Sequence, residues 1–159
     1  MKDLFTPTHR ELCQIGAKWL LNQKNYHFRC QYVCVELVTI SSETPDVFGL
    51  KGGIETILLE VKVSRSDFIA DLKKPHRKGE GIGSERYYLC PDGMIREYEL
   101  SANWGLLYYK DGNITVVKQA IPYDNKDYVN EMSIMYSIIR RTIGKRQILD
   151  FRTKIINDK

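Results

Sequence analysis

One stretch, residues 54–71 (IETILLEVKVSRSDFIAD), constrains the fold more than any other. Within it, Ile57-Leu58-Leu59-Glu60-Val61-Lys62-Val63 is an apolar, branched run interrupted by one acid and one base. That is the pattern of a buried strand. Side chains alternate across a strand, so Glu60 and Lys62 leave the same face. An acid and a base there are costly to bury without partners, and the simplest partners are each other and a metal ion. Upstream, Pro45-Asp46 opens a short apolar run, and Lys51-Gly52-Gly53 is a hairpin signal. Such a hairpin returns Asp46 to the neighbourhood of Glu60, although thirteen residues separate them in the chain. Downstream, Ser64-Arg65-Ser66-Asp67 offers N-cap residues for a helix over 66–73, which Pro75 ends.

Pro45-Asp46 followed by Glu60-x-Lys62 resembles the signature of the PD-(D/E)xK nuclease superfamily. The run Ser64-Arg65-Ser66-Asp67-Phe68-Ile69-Ala70-Asp71-Leu72-Lys73-Lys74 looks like the MmcB-like DNA-repair branch, as do Arg86-Tyr87-Tyr88-Leu89-Cys90-Pro91 and Trp104-Gly105-Leu106-Leu107. The resemblance spans residues 8–120 and leaves the C-terminal remainder uncovered. It implies an α/β fold of restriction-endonuclease-like kind, a mixed β-sheet flanked by α-helices in a single domain. It implies Asp46, Glu60 and Lys62 as catalytic residues. Asp46, Glu60 and the backbone carbonyl of Val61 would hold Mg²⁺ or Mn²⁺. Glu11 falls where some members carry a further acidic ligand on the first helix. DNA is the implied substrate, and a homodimer is among the implied assemblies.

The chemistry is consistent with those residue types. Carboxylates at one strand edge can hold a hard divalent cation that retains several waters. A lysine beside them can orient a water and stabilise developing negative charge on phosphate. Basic side chains near an acidic site are also needed, because carboxylates alone repel phosphate. Lys73, Lys74, Arg77 and Lys78 form such a cluster, leading into a glycine-rich segment read as a mobile, positive surface loop. Its glycine spacing fits neither a Walker A loop nor a Rossmann turn, so no nucleotide site is read. With no acidic site to serve, the same loop would be a surface segment without a partner.

At 159 residues the chain is long enough for one domain with a substantial core. We place that domain over 1–139, including a closing helix at 127–141, and a basic segment over 140–159. The net charge is a modest +4. Residues 140–159 carry seven bases against two acids, which suits a polyanion or a solvated terminus. Cys13, Cys30, Cys34 and Cys90 include no C-x-x-C pair and show no zinc-finger spacing. Cys13 and Cys34 lie in apolar patterns and read as reduced core residues. Residues 1–3 lead into no apolar signal segment, and no run approaches a bilayer-spanning length, so a cytoplasmic location is expected.

Elsewhere, Thr8 and Glu11 have capping-box spacing at the head of a helix over 9–23. Glu11 therefore has two readings, box residue or metal ligand. A first strand over 32–39 would send Val33, Val35 and Leu37 one way and Cys34, Glu36 and Val38 the other. Glu36 then faces either the site or solvent. Further strands are expected over 85–90, 104–110 and 114–118, the last two joined by Asp111-Gly112, with a short helix over 94–100. Asp67 and Asp71 are expected to cap the second helix or face solvent, unless they support the site from behind. Tyr87, Tyr88, Tyr108 and Tyr109 are expected to pack on the sheet. Two functions are open: a metal-dependent DNA-cutting or DNA-repair enzyme, and a non-catalytic nucleic-acid-binding module on the same scaffold. A protein-interaction domain is a third and weaker reading.

Overall fold

The structure is a computed structural model and describes residues 6–39, 43–77, 79–144 and 146. Six strands form one mixed sheet: β1 Tyr32–Val35, β2 Val47–Gly52, β3 Glu55–Val61, β4 Glu85–Pro91, β5 Gly105–Lys110 and β6 Asn113–Lys118. Their spatial order is their chain order. β2 runs antiparallel to both β1 and β3, β3, β4 and β5 run parallel, and β6 turns back antiparallel to β5. The helices are α1 His9–Leu21, α2 Arg65–Asp71 and α3 Tyr128–Ile143. The domain is thus an α/β fold, as expected.

Local chemistry sets the boundaries. Thr8 and Glu11 close the capping box that starts α1. Ser64 accepts from the Asp67 N–H to start α2, and Asp127 accepts from the Asn130 N–H to start α3. Gly53 turns β2 into β3 with φ 59, a left-handed conformation that glycine adopts without strain. The expected helix over 94–100 is reduced to a 3₁₀ turn, Glu97–Glu99. α3 continues to Ile143, so the expected boundary at residue 139 falls inside a helix. Most of the basic segment, residues 145 and 147–159, lies outside the described residues.

Two apolar layers hold the sheet. α1 lays Leu12, Ala17 and Leu20 on Val47, Ile57, Leu59, Val61, Leu89 and Leu107. On the other face, Phe68 of α2 and Ile134 of α3 pack with Phe48, Leu58, Tyr88, Trp104 and Leu106. Each such fully buried side chain contributes roughly 1.5–3 kcal/mol before conformational entropy is subtracted. Alternation along β3 places Glu60 on the second face, with Leu58, and at the C-terminal end of a parallel strand. Ligand sites in α/β sheets form outside those strand ends. Among the described residues no helix is long and apolar enough to cross a membrane.

β1 departs from expectation. It stops at Val35, and Glu36 adopts φ 48, which breaks the alternation. Leu37 consequently joins the layer of Cys34 and Phe48 rather than that of Val33 and Val35. Glu36 is carried to α1, where it lies 3.7 Å from His9 and 3.8 Å from Arg10.

Candidate active site at the end of the third strand

The hairpin places Asp46 one residue before β2, and the register Val47↔Leu59 sets it beside the end of β3. Its Oδ2 accepts the Val61 N–H at 2.8 Å. A strand residue's N–H and C=O leave on the same side, so the Val61 carbonyl also points toward Asp46. Asp46 Oδ1 lies 3.4 Å from His9 Nε2.

Glu60 is only 2% exposed. Its Oε2 lies 3.4 Å from Lys62 Nζ and 2.8 Å from Arg77 Nη2. Its Oε1 is buried and has no hydrogen-bond partner among the described residues. A buried carboxylate oxygen without a donor is costly, and it fits a cation-binding position. Burial pushes the Glu60 carboxyl up to about 7. Arg77 and Lys62 oppose that shift, and the charges of Asp46 and Asp71 add to it. Lys62 and Glu60 thus meet on one face of β3, as the strand period requires, while Asp46 lies at the end of the same strand against Val61 and His9.

Behind this trio lies a buried ionic cluster. Asp71, 1% exposed, accepts from Arg77 Nε at 2.7 Å and Nη2 at 3.0 Å and from the Tyr88 hydroxyl at 2.8 Å. Lys62 Nζ is 3.2 Å from it and Lys74 Nζ 2.9 Å. Burial raises the Asp71 carboxyl, but hydrogen bonds and charge from Arg77, then Lys74 and Lys62, hold it well below the usual carboxylate range. Arg77 also reaches Glu43 Oε1 at 3.2 Å, and Glu43 Oε2 accepts the Ile82 N–H at 3.1 Å.

Several expectations are corrected here. Arg77 is not a surface phosphate contact; at 3% exposure it is committed to three carboxylates. The glycine-rich segment is not a loose loop. Ile82 is fully buried, and Arg86 donates to the carbonyls of Gly79, Gly81 and Gly83. Asp71 neither caps α2 nor faces solvent, whereas Asp67 is exposed. Glu11 is bound to Thr8 in the capping box, which takes up its carboxylate. Lys73 is exposed, Lys74 is half-exposed while touching Asp71, and Lys78 lies outside the described residues.

A sequence reading could have found Asp71. Phe68 and Asp71 stand three apart on α2 and share one face, so a core-facing Phe68 carries Asp71 inward. Glu43 gave no such signal, since it lies in irregular chain. His9 and Cys13 are spaced four apart on α1 and also meet beside Asp46. Burial pushes the Cys13 thiol up to about 12, with Asp46, Glu36 and Glu60 adding to the effect and Lys62 opposing it.

A solved structure of SPO1766, a protein of unknown function from Silicibacter pomeroyi, is similar to this chain, with 21% sequence identity and a TM-score of 0.51. The match covers 74% of this chain and 84% of that one, and the likeness is one of fold. No protein-family model and no curated protein matches the chain.

Proposed function

We propose that this domain is a metal-dependent deoxyribonuclease that hydrolyses phosphodiester bonds in the repair or processing of DNA. The observation that carries this reading is the buried Oε1 of Glu60, which has no partner among the described residues; Lys62 stands beside it on the same strand face, and the next residue, Val61, binds Asp46. Such a donor set suits Mg²⁺ or Mn²⁺, with Asp46, Glu60 and the Val61 carbonyl as ligands. The bound ion would lower the pKa of a water and neutralise charge on the scissile phosphate.

The chain's own groups do the rest. Asp46 is fixed by the Val61 N–H, which aims its second oxygen away from the strand. Arg77 and Asp71 hold Glu60 and Lys62 in place. Lys62 donates to oxygen, either orienting the attacking water or stabilising negative charge that develops on the phosphate. Lys73 and the exposed part of Lys74 are the described cations available to flanking phosphates. The proposal includes action in the cytoplasm, and self-association into a homodimer, the latter carried by the sequence resemblance.

A second reading is a nucleic-acid-binding module without catalysis. One observation favours it: Arg77 and Lys62 already neutralise Glu60, as a purely structural ion network would. Cleavage of plasmid, single-stranded and branched DNA, with and without Mg²⁺ or Mn²⁺, separates the two. The nuclease reading expects metal-dependent cutting that is lost in Glu60→Gln and Lys62→Ala, while Lys62→Ala still binds DNA. Metal-independent binding with no cutting under any condition supports the module instead.

A further inference from the structure

A second donor set gathers on the α1 side of Asp46. His9 and Cys13 are one helical turn apart and share a face of α1. His9 Nε2 lies 3.4 Å from Asp46 Oδ1 and 3.9 Å from Cys13 Sγ. One nitrogen, one sulfur and one oxygen donor from these residues all fall within 4.8 Å of one another. Around a tetrahedral zinc ion with ordinary bond lengths, nitrogen and oxygen ligands stand about 3.4 Å apart, and nitrogen and sulfur about 3.6 Å. The nitrogen–oxygen pair matches that spacing, whereas Cys13 Sγ, 3.7 Å from Nδ1 and 3.9 Å from Nε2, lies beside the ring and must change side-chain rotamer to reach the same ion.

The other imidazole nitrogen also has a suitable neighbour. His9 Nδ1 is 3.7 Å from Glu36 Oε1. A metal-bound histidine ordinarily turns its second nitrogen to a carboxylate, which fixes the ring. Glu36 reaches that place from its left-handed backbone, with its own N–H on the Asp46 carbonyl at 2.9 Å.

We propose that His9, Cys13 and Asp46 bind a divalent transition ion of the zinc class, with Glu36 orienting His9. Sulfur and imidazole donors select such an ion over Mg²⁺, which wants oxygen. His9 and Asp46 are partly exposed, so an ion can enter although Cys13 is buried. The site shares Asp46 with the oxygen-only set at Glu60 but takes its nitrogen and sulfur donors from α1, and it does not depend on the nuclease reading.

The test is titration of the metal-free full-length protein with Co²⁺, an optical probe for zinc sites. One equivalent is expected to give a sulfur-to-cobalt charge-transfer band together with the visible bands of a four-coordinate ion, both displaced by Zn²⁺. Cys13→Ser should abolish the charge-transfer band, and His9→Ala should weaken binding at least tenfold. Glu60→Gln and Cys34→Ser should leave both unchanged. The proposal is overturned if no charge-transfer band appears, if it persists in Cys13→Ser, if it is lost in Glu60→Gln, or if His9→Ala binds like the parent. Should Cys13→Ser fail to fold, the half-exposed His9→Ala decides alone. Co²⁺ binding without DNA cleavage would sink only the nuclease reading, and cleavage without Co²⁺ binding only this one.

Discussion

Arg77 Nη2 lies 2.8 Å from Glu60 Oε2, with both side chains almost wholly buried. The same guanidinium takes Asp71 through two nitrogens and Glu43 through a third contact. One cation from a 3₁₀ turn therefore joins β3, α2 and the chain before β2. Removing it leaves three buried carboxylates short of a partner. Arg77→Met is expected to lose roughly 3–5 kcal/mol of stability, as for other broken buried ion pairs. Arg77→Lys should fall between, because an ammonium cannot reproduce the two-pronged contact with Asp71. Urea unfolding at neutral pH measures this. Parental stability in Arg77→Met would mean that the network does not hold the site.

The same network predicts a pH dependence of the metal-free protein. Glu60 has its carboxyl raised from the ordinary 4.5 to about 7. Between those values the folded chain keeps a proton that the unfolded chain releases, so this contribution to stability falls as pH rises from 4.5 to 7. Asp71 acts in the opposite sense. Its depressed carboxyl contributes stability that is present above the unfolded value of 3.8 and is lost as pH falls further. Urea midpoints measured in chelator should therefore decline across the upper window in the parent protein. They should stay flat there in Glu60→Gln while keeping the acid-side loss. An unchanged slope in Glu60→Gln would show that Glu60 is not the group responsible. Stabilisation by added Mn²⁺ should strengthen with pH through the same window, since proton and cation compete for one oxygen.

Much of this site was legible because β3 carries it. A seven-residue apolar run can be read as a strand from composition, and the strand period then places Glu60 and Lys62 on one face. The Lys51-Gly52-Gly53 turn fixed where Asp46 would return. Arg77 was misread for a physical reason. Three bases adjoin it in the sequence, and a charge cluster near glycines ordinarily faces water; only tertiary pairing with Asp71, Glu43 and Glu60 draws it inside. Glu43 and Arg86 are likewise set by contacts between segments far apart in the chain. The break in β1 rests on one left-handed residue, Glu36, and no alternation pattern announces it.

Glu11 supplies a sharp negative test of the extra-ligand expectation. Its carboxylate accepts from both the backbone N–H and the hydroxyl of Thr8, each at 2.8 Å. These bonds hold its carboxyl below the ordinary range. Glu11→Ala should lower stability modestly through loss of half the capping box. Mn²⁺ affinity, read by calorimetry, should not change. A fall in affinity of tenfold or more would restore Glu11 as a ligand and require the α1 N-terminus to rearrange.

Gly83 tests whether the glycine-rich segment is anchored as described. It sits at φ 92, where side chains are disfavoured, and an added Cβ would stand 2.8 Å from Leu58 Cβ and 3.2 Å from the Glu85 carbonyl. Its N–H donates to Glu131 Oε1 at 2.8 Å, so the backbone cannot move away without giving up a buried hydrogen bond. Gly83→Ala therefore combines an unfavourable backbone with overpacking and should cost roughly 2–4 kcal/mol. Gly79→Ala, where no atom of the described residues lies within 4 Å of the new methyl, should stay within about 0.5 kcal/mol of the parent. Equal stability of the two variants would mean that this segment is a loose surface loop after all, and that Arg86 does not tie it to the sheet.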